Sequence, residues 1–177
     1  MTVSADTFRE TLSFLPGGVT VVTAREPDGS PAGLTATAVC SVSLRPPLVL
    51  ICVEDGSRTR AAIAREESFA VNLLDEEQAP LARRFAGGRK DKFDDVPWAT
   101  AETGAPVLEA AVGYVDCRVE RRVADAGDHE IFIGEVRAAE IFRPGAQNPL
   151  VYYLGEYRAL RDVVSTSPFM GSEESGG

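Results

Sequence analysis

The sequence predicts a mainly β protein: an antiparallel barrel, closed or nearly closed, with two or three helices on its rim. Three observations lead there. In the first third of the chain, "VTVVTA", "GLTATAVCSVSL" and "LVLICV" follow one another with only the turn "EPDGSPAG" and the break "RPP" between them, so no helix separates these strands. In the second half, "VGYVDCRVERRV" and "EIFIGEVRAAEIF" are long extended runs joined by the turn "ADAGD", the pattern of a hairpin. The third is size. The 177 residues, 44% hydrophobic and 25% charged, suit one globular domain with its own core, and neither a repeat nor a linker divides them.

Each element has a local reason. Phe8, Leu12 and Leu15 recur at helical spacing in "TFRETLSFL", with Ser4 or Asp6 available as the cap and Pro16-Gly17-Gly18 as the stop. In "GLTATAVCSVSL" the apolar set Leu34, Ala36, Ala38, Cys40, Val42 and Leu44 alternates with Thr35, Thr37, Ser41 and Ser43, Val39 being the exception. Period-two alternation reads as one extended strand with an apolar and a hydroxyl face. Asp55 or Ser57 can cap a short Ala-rich helix in "EDGSRTRAAIARE", and "SFAVNLL" returns to strand. A second helix is expected over "EEQAPLARRFA", then the polar loop "GGRKDKFDDVPW". In the hairpin, Val115, Cys117 and Val119 are expected inward and Asp116, Arg118 and Glu120 outward, while "EIFI" is apolar on both faces, as in a strand covered on both sides. The tail from Val163 is rich in Ser, Gly and Glu and is expected to be disordered, which leaves residues 1–162 as the domain and 163–177 outside it.

Composition narrows the function classes. With 18 Lys+Arg against 27 Asp+Glu, the formal charge is -9, which speaks against a nucleic-acid partner but leaves room for a phosphorylated small molecule held by a local cluster of donors. No run approaches the roughly 18 apolar residues of a membrane span, and "MTVSADTFRE" has no signal pattern, so no membrane and a cytoplasmic location are expected. Cys40, Cys52 and Cys117 form no Cys-x-x-Cys pair and read as reduced, buried small hydrophobes. With a single histidine in the chain, no metal site is expected.

Four places can carry chemistry. The hydroxyl row of the alternating strand suits either a flat heterocycle rich in acceptors or plain solvent. Ser57-Arg58-Thr59 at a helix start offers free amides, two hydroxyls and a guanidinium, either as an anion site or as an ordinary cap. The run from Arg83 to Phe93 concentrates basic charge around Phe85 and Phe93, and through Arg89 or Lys92 it can close over a phosphorylated ligand or stand as a solvated loop. His129 sits in the turn "GDHE" before an apolar strand, flanked by Asp128 and Glu130 and placed to reach a cleft at the barrel's mouth. No Gly-x-Ser-x-Gly, Gly-x-Gly-x-x-Gly or P-loop pattern is present, so an enzyme built this way takes its chemistry from a cofactor.

In this order, "FRETLSFLPGGVTVVTA", "GLTATAVCSVSLRPPLVLICV", "SRTRAAI", "FAVNLL", "KFDDVPW", "GDHEIFIGEV" and "PLVYYLGEYRAL" resemble the short-chain flavin reductases over residues 7–160. These are the reductase components of two-component flavin-dependent monooxygenases. The resemblance implies an antiparallel Greek-key split β-barrel of the FMN-binding type, working as a homodimer. It implies that NADH or NADPH passes a hydride to FMN or FAD, and that the reduced flavin supplies a partner oxygenase. By the same resemblance, Thr35, Ala36, Thr37, Ser41 and Val42 lie along the isoalloxazine, and Ser57, Arg58 and Thr59 take the phosphate end. The resemblance further implies that Phe85, Lys92 and Phe93 help enclose the flavin, that Tyr152 or Tyr157 completes the pocket, and that His129 is the catalytic residue on the nicotinamide side. The alternative on the same barrel is a non-catalytic flavin-binding or electron-carrier module.

Overall fold

The computed structural model describes residues 3–89, 91–145 and 148–160, so the tail expected to be disordered lies outside the described residues. Helix α1 (Ala5–Ser13) leads into the short β1 (Gly17–Gly18), then β2 (Thr20–Arg25), β3 (Pro31–Ala36), β4 (Val39–Leu44) and β5 (Pro47–Glu54). After α2 (Arg58–Glu66) come β6 (Ser68–Leu73), a 3-10 turn (Glu76–Gln78) and α3 (Ala79–Ala86). The remaining strands are β7 (Trp98–Thr100), β8 (Pro106–Leu108), β9 (Gly113–Ala126), β10 (His129–Ile141), β11 (Leu150–Tyr153) and β12 (Glu156–Ala159). Of the possible caps, the structure uses Ser4 for α1 and Ser57 for α2. Each serine Oγ accepts from the amide three residues on, at 3.1 Å.

Seven strands form one antiparallel sheet in the order β3-β2-β6-β9-β10-β5-β4. Its two edges, β3 and β4, are consecutive in the chain and joined only by Thr37 and Ala38. Three residue steps reach at most about 11 Å. The edges must therefore meet, and the sheet must curl into a barrel. This corrects the reading of "GLTATAVCSVSL" as one strand. Ala36 and Val39 end and begin different strands on opposite edges, so parity does not carry through: Ala36 is buried, whereas Ala38, Cys40 and Leu44 are exposed. The Ala38 carbonyl accepts from the Cys52 amide at 3.1 Å and fastens the link to β5.

The barrel interior is packed with Val22, Ile51, Val53, Phe69, Cys117 and Phe132, joined by Ala62 and Ile63 of α2, which plugs one end. A second cluster lies outside the barrel, where Ala82 and Phe85 of α3 cover Val21. Strand β2 is thus buried on both faces, as its run of apolar residues and threonines requires. Asp116, expected to face outward, does leave the barrel interior but is fully buried, because the segment before β8 folds over it. Its carboxylate accepts from the Thr103 amide at 2.7 Å and from the Thr103 hydroxyl. Among the described residues no helix is long and apolar enough to cross a membrane, and no group of three or more His, Cys, Asp or Glu side chains could hold a metal ion.

Helix α2 is also tied to β9 and β10 by charge. The Glu130 side chain is only 1% exposed and accepts from Arg60 Nη1 at 2.8 Å and Arg122 Nε at 2.7 Å. Burial raises its pKa, but the bonds from the two guanidiniums outweigh that and hold the carboxyl below its ordinary 4.5. Because the folded value is the lower one, the stabilisation is present above about pH 4.5 and is lost as pH falls through the folded value. Breaking a buried pair costs roughly 3–5 kcal/mol. Both arginines keep contact with water, so Glu130→Gln should cost about 1–3 kcal/mol at neutral pH and flatten the acid limb of the stability curve, as read by urea unfolding at several pH values. Gly134 supplies a packing test. A Cβ there would stand 2.6 Å from Phe69 Cζ and 2.8 Å from Cys117 Cβ, so Gly134→Ala should destabilise by about 1–3 kcal/mol in the same measurement.

Candidate functional site

Where the barrel seam closes, the outer surface opens into a cavity of about 660 Å³. Five segments wall it: β3 with its Thr37–Ala38 link, the end of β5, the start of α2, the end of α3 with the following loop, and the start of β10. This is within the volume range of small-molecule sites. The structure brings ten of the fourteen sequence-predicted site residues to this one place. Thr35, Ala36 and Thr37 come from β3 and the link, Ser57, Arg58 and Thr59 from the α2 start, Phe85 from α3, Lys92 and Phe93 from the loop, and His129 from β10.

Each has a local reason for its position. Thr35 points away from the barrel interior, and its hydroxyl donates to the Ala82 carbonyl at 2.6 Å, which seats α3 on β3. Gly33, on the same face, is bare because a Cβ would come within 2.9 Å of the Phe85 ring and 3.1 Å of Phe93. Those two rings meet edge to face with centroids 4.9 Å apart. Lys92 Nζ donates to the carbonyls of Gly33 at 3.1 Å and Phe85 at 2.9 Å, so it clamps the loop to both β3 and α3. Burial, with a smaller contribution from nearby Arg58, pushes the Lys92 pKa down.

The start of α2 presents the first-turn amides of Arg58 and Thr59, which by helix geometry have no partner inside the helix. Ser57 supplies the cap, Thr59 is buried at the cavity wall, and the Arg58 guanidinium pairs with Glu26. The donor set is therefore two amides, two hydroxyls and a cation at the positive end of a helix dipole, which fits a phosphate group. At the β10 start, His129 Nδ1 lies 2.7 Å from Asp128 Oδ1, so Nε2 is the nitrogen left for a ligand. The hydrogen bond and charge of His129 hold the Asp128 carboxyl below its usual range. Glu130, expected beside the histidine, instead points to the opposite face of the strand and binds Arg60 and Arg122.

Four predicted residues stand elsewhere. Ser41 and Val42 are carried out of the cavity because the chain crosses at Thr37–Ala38 to the far sheet edge, where both are exposed. Tyr152 and Tyr157 face each other across β11 and β12 with ring centroids 5.5 Å apart. Tyr157 belongs to a separate hollow, beneath the Arg83 guanidinium at 5.3 Å. The cavity also contains residues that the sequence reading passed over, chiefly Cys52 and Glu54. Their signal was available, since in "LVLICVE" they alternate with Ile51 and Val53, the core positions. The cysteines are correspondingly corrected. Only Cys117 is buried, with its thiol pushed up to about 12 by burial first and by Asp116, whereas Cys52 is half-buried at the cavity wall and Cys40 is exposed.

Residues 12–161 match the family model described as "Flavin reductase like domain". The chain is 44% identical over 157 residues to "Flavin reductase (NADH)" of Kitasatospora aureofaciens, covering 88% of this chain and 81% of that one. It is 41% identical over 150 residues to the reductase component of 4-nitrophenol 4-monooxygenase/4-nitrocatechol 2-monooxygenase of Rhodococcus opacus, covering 85% and 78%. Among solved structures, it superposes on the NADH:FAD oxidoreductase of Streptomyces globisporus C-1027 with a TM-score of 0.82 and 35% identity, over 92% of this chain and 98% of that one. The barrel is of the split type found in these proteins, and the chain belongs to the flavin reductase like domain family.

Proposed function

We propose that the protein reduces FMN or FAD with NADH or NADPH and supplies the reduced flavin to a flavin-dependent oxygenase component. The observation that carries this reading is the meeting, in one cavity, of a strand segment, a phosphate-competent helix start and a histidine held by a carboxylate. A bound flavin supplies the hydride acceptor and a reduced nicotinamide the donor. The chain's own residues supply position. The amides of Arg58 and Thr59, with the hydroxyls of Ser57 and Thr59, hold the flavin phosphate. The backbone of Thr35 to Thr37 lies along the ring, and Phe85, Lys92 and Phe93 keep the loop beside it closed against β3. His129, oriented through Nδ1 by Asp128, offers Nε2 to the nicotinamide nucleotide. That the relative from Rhodococcus opacus is a monooxygenase reductase component supports an oxygenase as the consumer.

The working unit in this proposal is a homodimer. No residue of α1 is buried, although Phe8, Leu12 and Leu15 recur along it and its C-terminal end, and the edge strand β4 exposes Val42 and Leu44 to 48% and 81%. Apolar side chains left bare on an unpaired edge and an amphipathic helix call for a cover, and a second copy supplies it. Ser41, Val42 and Tyr152 are exposed, so their contacts with flavin would be made to the partner's site.

Steady-state assays should show oxidation of at least one of NADH and NADPH that depends on added FMN or FAD. Tightly held flavin without such turnover would indicate the carrier module instead. His129→Ala should slow reduction by the nicotinamide nucleotide by about tenfold or more while flavin binding changes little, compared by stopped flow and flavin titration. Equal loss of both would remove the role given to His129. Leu44→Asp should shift the protein from dimer to monomer in light scattering.

A further inference from the structure

Three cations line the cavity, and each is already engaged within the chain. Lys92 is held by two carbonyls, and Arg89 is held by Asp91, at 3.0 Å from Nε to Oδ1. Arg58, at the first position of α2, is paired with Glu26. Glu26 comes from the turn between β2 and β3, far from Arg58 in sequence, and its side chain is 23% exposed against 52% for Arg58. A second carboxylate of that turn, Asp28, also feels the Arg58 charge, though its pKa is lowered first by its bonds to Ser30. The guanidinium of the helix start that lines the cavity therefore meets a resident carboxylate in the ligand-free chain.

We propose that Glu26 sets the affinity and the phosphate selectivity of the cavity by competing with the flavin phosphate for Arg58. The inference rests on the site reading given above and deepens it. A phosphate arriving at the α2 start must either share Arg58 with Glu26 or displace it, and in both cases it gains less from the guanidinium than it would from an unpaired one. The consequence is selective. Riboflavin carries no phosphate and gains nothing from Arg58, so Glu26 lowers the advantage of FMN over riboflavin without touching the ring contacts. A moderated hold suits a flavin that must leave after reduction to serve an oxygenase.

The test is flavin titration by fluorescence quenching, with FMN and riboflavin as ligands, on the wild-type protein and on Glu26→Gln, which keeps the shape of the side chain. FMN should bind about two- to fivefold more tightly to Glu26→Gln, the range expected for freeing a partly exposed ion pair, with riboflavin affinity unchanged. In an Arg58→Gln background the same change at Glu26 should have no effect on FMN. Unchanged or weaker FMN binding in Glu26→Gln overturns the proposal, because Glu26 would then be idle or would be orienting Arg58 for the phosphate. An equal gain for riboflavin, or a gain that persists without Arg58, overturns it as well. If the wild-type protein shows no preference for FMN over riboflavin, and Arg58→Gln changes nothing, the assignment of the α2 start to phosphate fails first, and the role of Glu26 fails with it.

Discussion

The two-residue link between β3 and β4 governs this molecule. Because Thr37 and Ala38 must join the two edges of a seven-stranded sheet, the sheet has to close, and closure places β3 beside the end of β5. A cavity wall is thereby assembled from strands that are not neighbours in the sheet order, β3 on one side and the β5–β10 pair on the other. The interior of the barrel is filled by side chains and by α2, so the recess can form only on the outside, at the seam. Helix α2 serves both sides of this arrangement. Its apolar residues Ala62 and Ile63 plug the barrel, while its first turn forms part of the outer recess.

Polar commitments within the chain explain why the recess keeps its shape. Thr35 seats α3, Lys92 ties the loop to β3 and α3, and Glu130 joins α2 to β9 and β10 through two arginines. The last network couples the helix start to the strand that carries His129. Adjacent residues of β10 point to opposite faces, so Glu130 can anchor the strand from the inner side while His129 faces the cavity. Position, the quantity that hydride transfer between two bound nucleotides needs most, is thus built into the scaffold and not left to mobile side chains.

Much of this was legible in the sequence, and the reasons differ by element. The cap at Ser57, the long hairpin and the mainly β class follow from local chemistry, which a single sequence displays directly. The four candidate patches were visible as residue types, but their convergence depends on a closure that no local window reports. Period-two alternation failed at one point for an instructive reason. Thr37 and Ala38 continue the pattern in sequence while the chain changes sheet edge, so Ala38, Cys40 and Leu44, apolar-face positions by parity, are exposed. Asp116 shows the other limit of parity. Parity tells which face a side chain takes, not whether another segment covers that face, and this carboxylate leaves the barrel interior only to be buried by the segment that carries Thr103.

The charge pattern of the site follows from the same economy. An acidic protein at -9 has no long-range attraction for a phosphorylated ligand, so recognition must come from short-range donors. Those donors are backbone amides and hydroxyls first, since they are neutral and fixed by the helix start, and cations second, since every cation lining the cavity has an internal partner. Directional neutral donors discriminate by geometry and hold less tightly than unopposed guanidiniums would. A site so composed would hold a phosphate chiefly by donor geometry, and less tightly than one built on unopposed cations. That combination is what a protein handing on its reduced product requires, and it makes the balance between Arg58 and Glu26 the natural point at which affinity is adjusted.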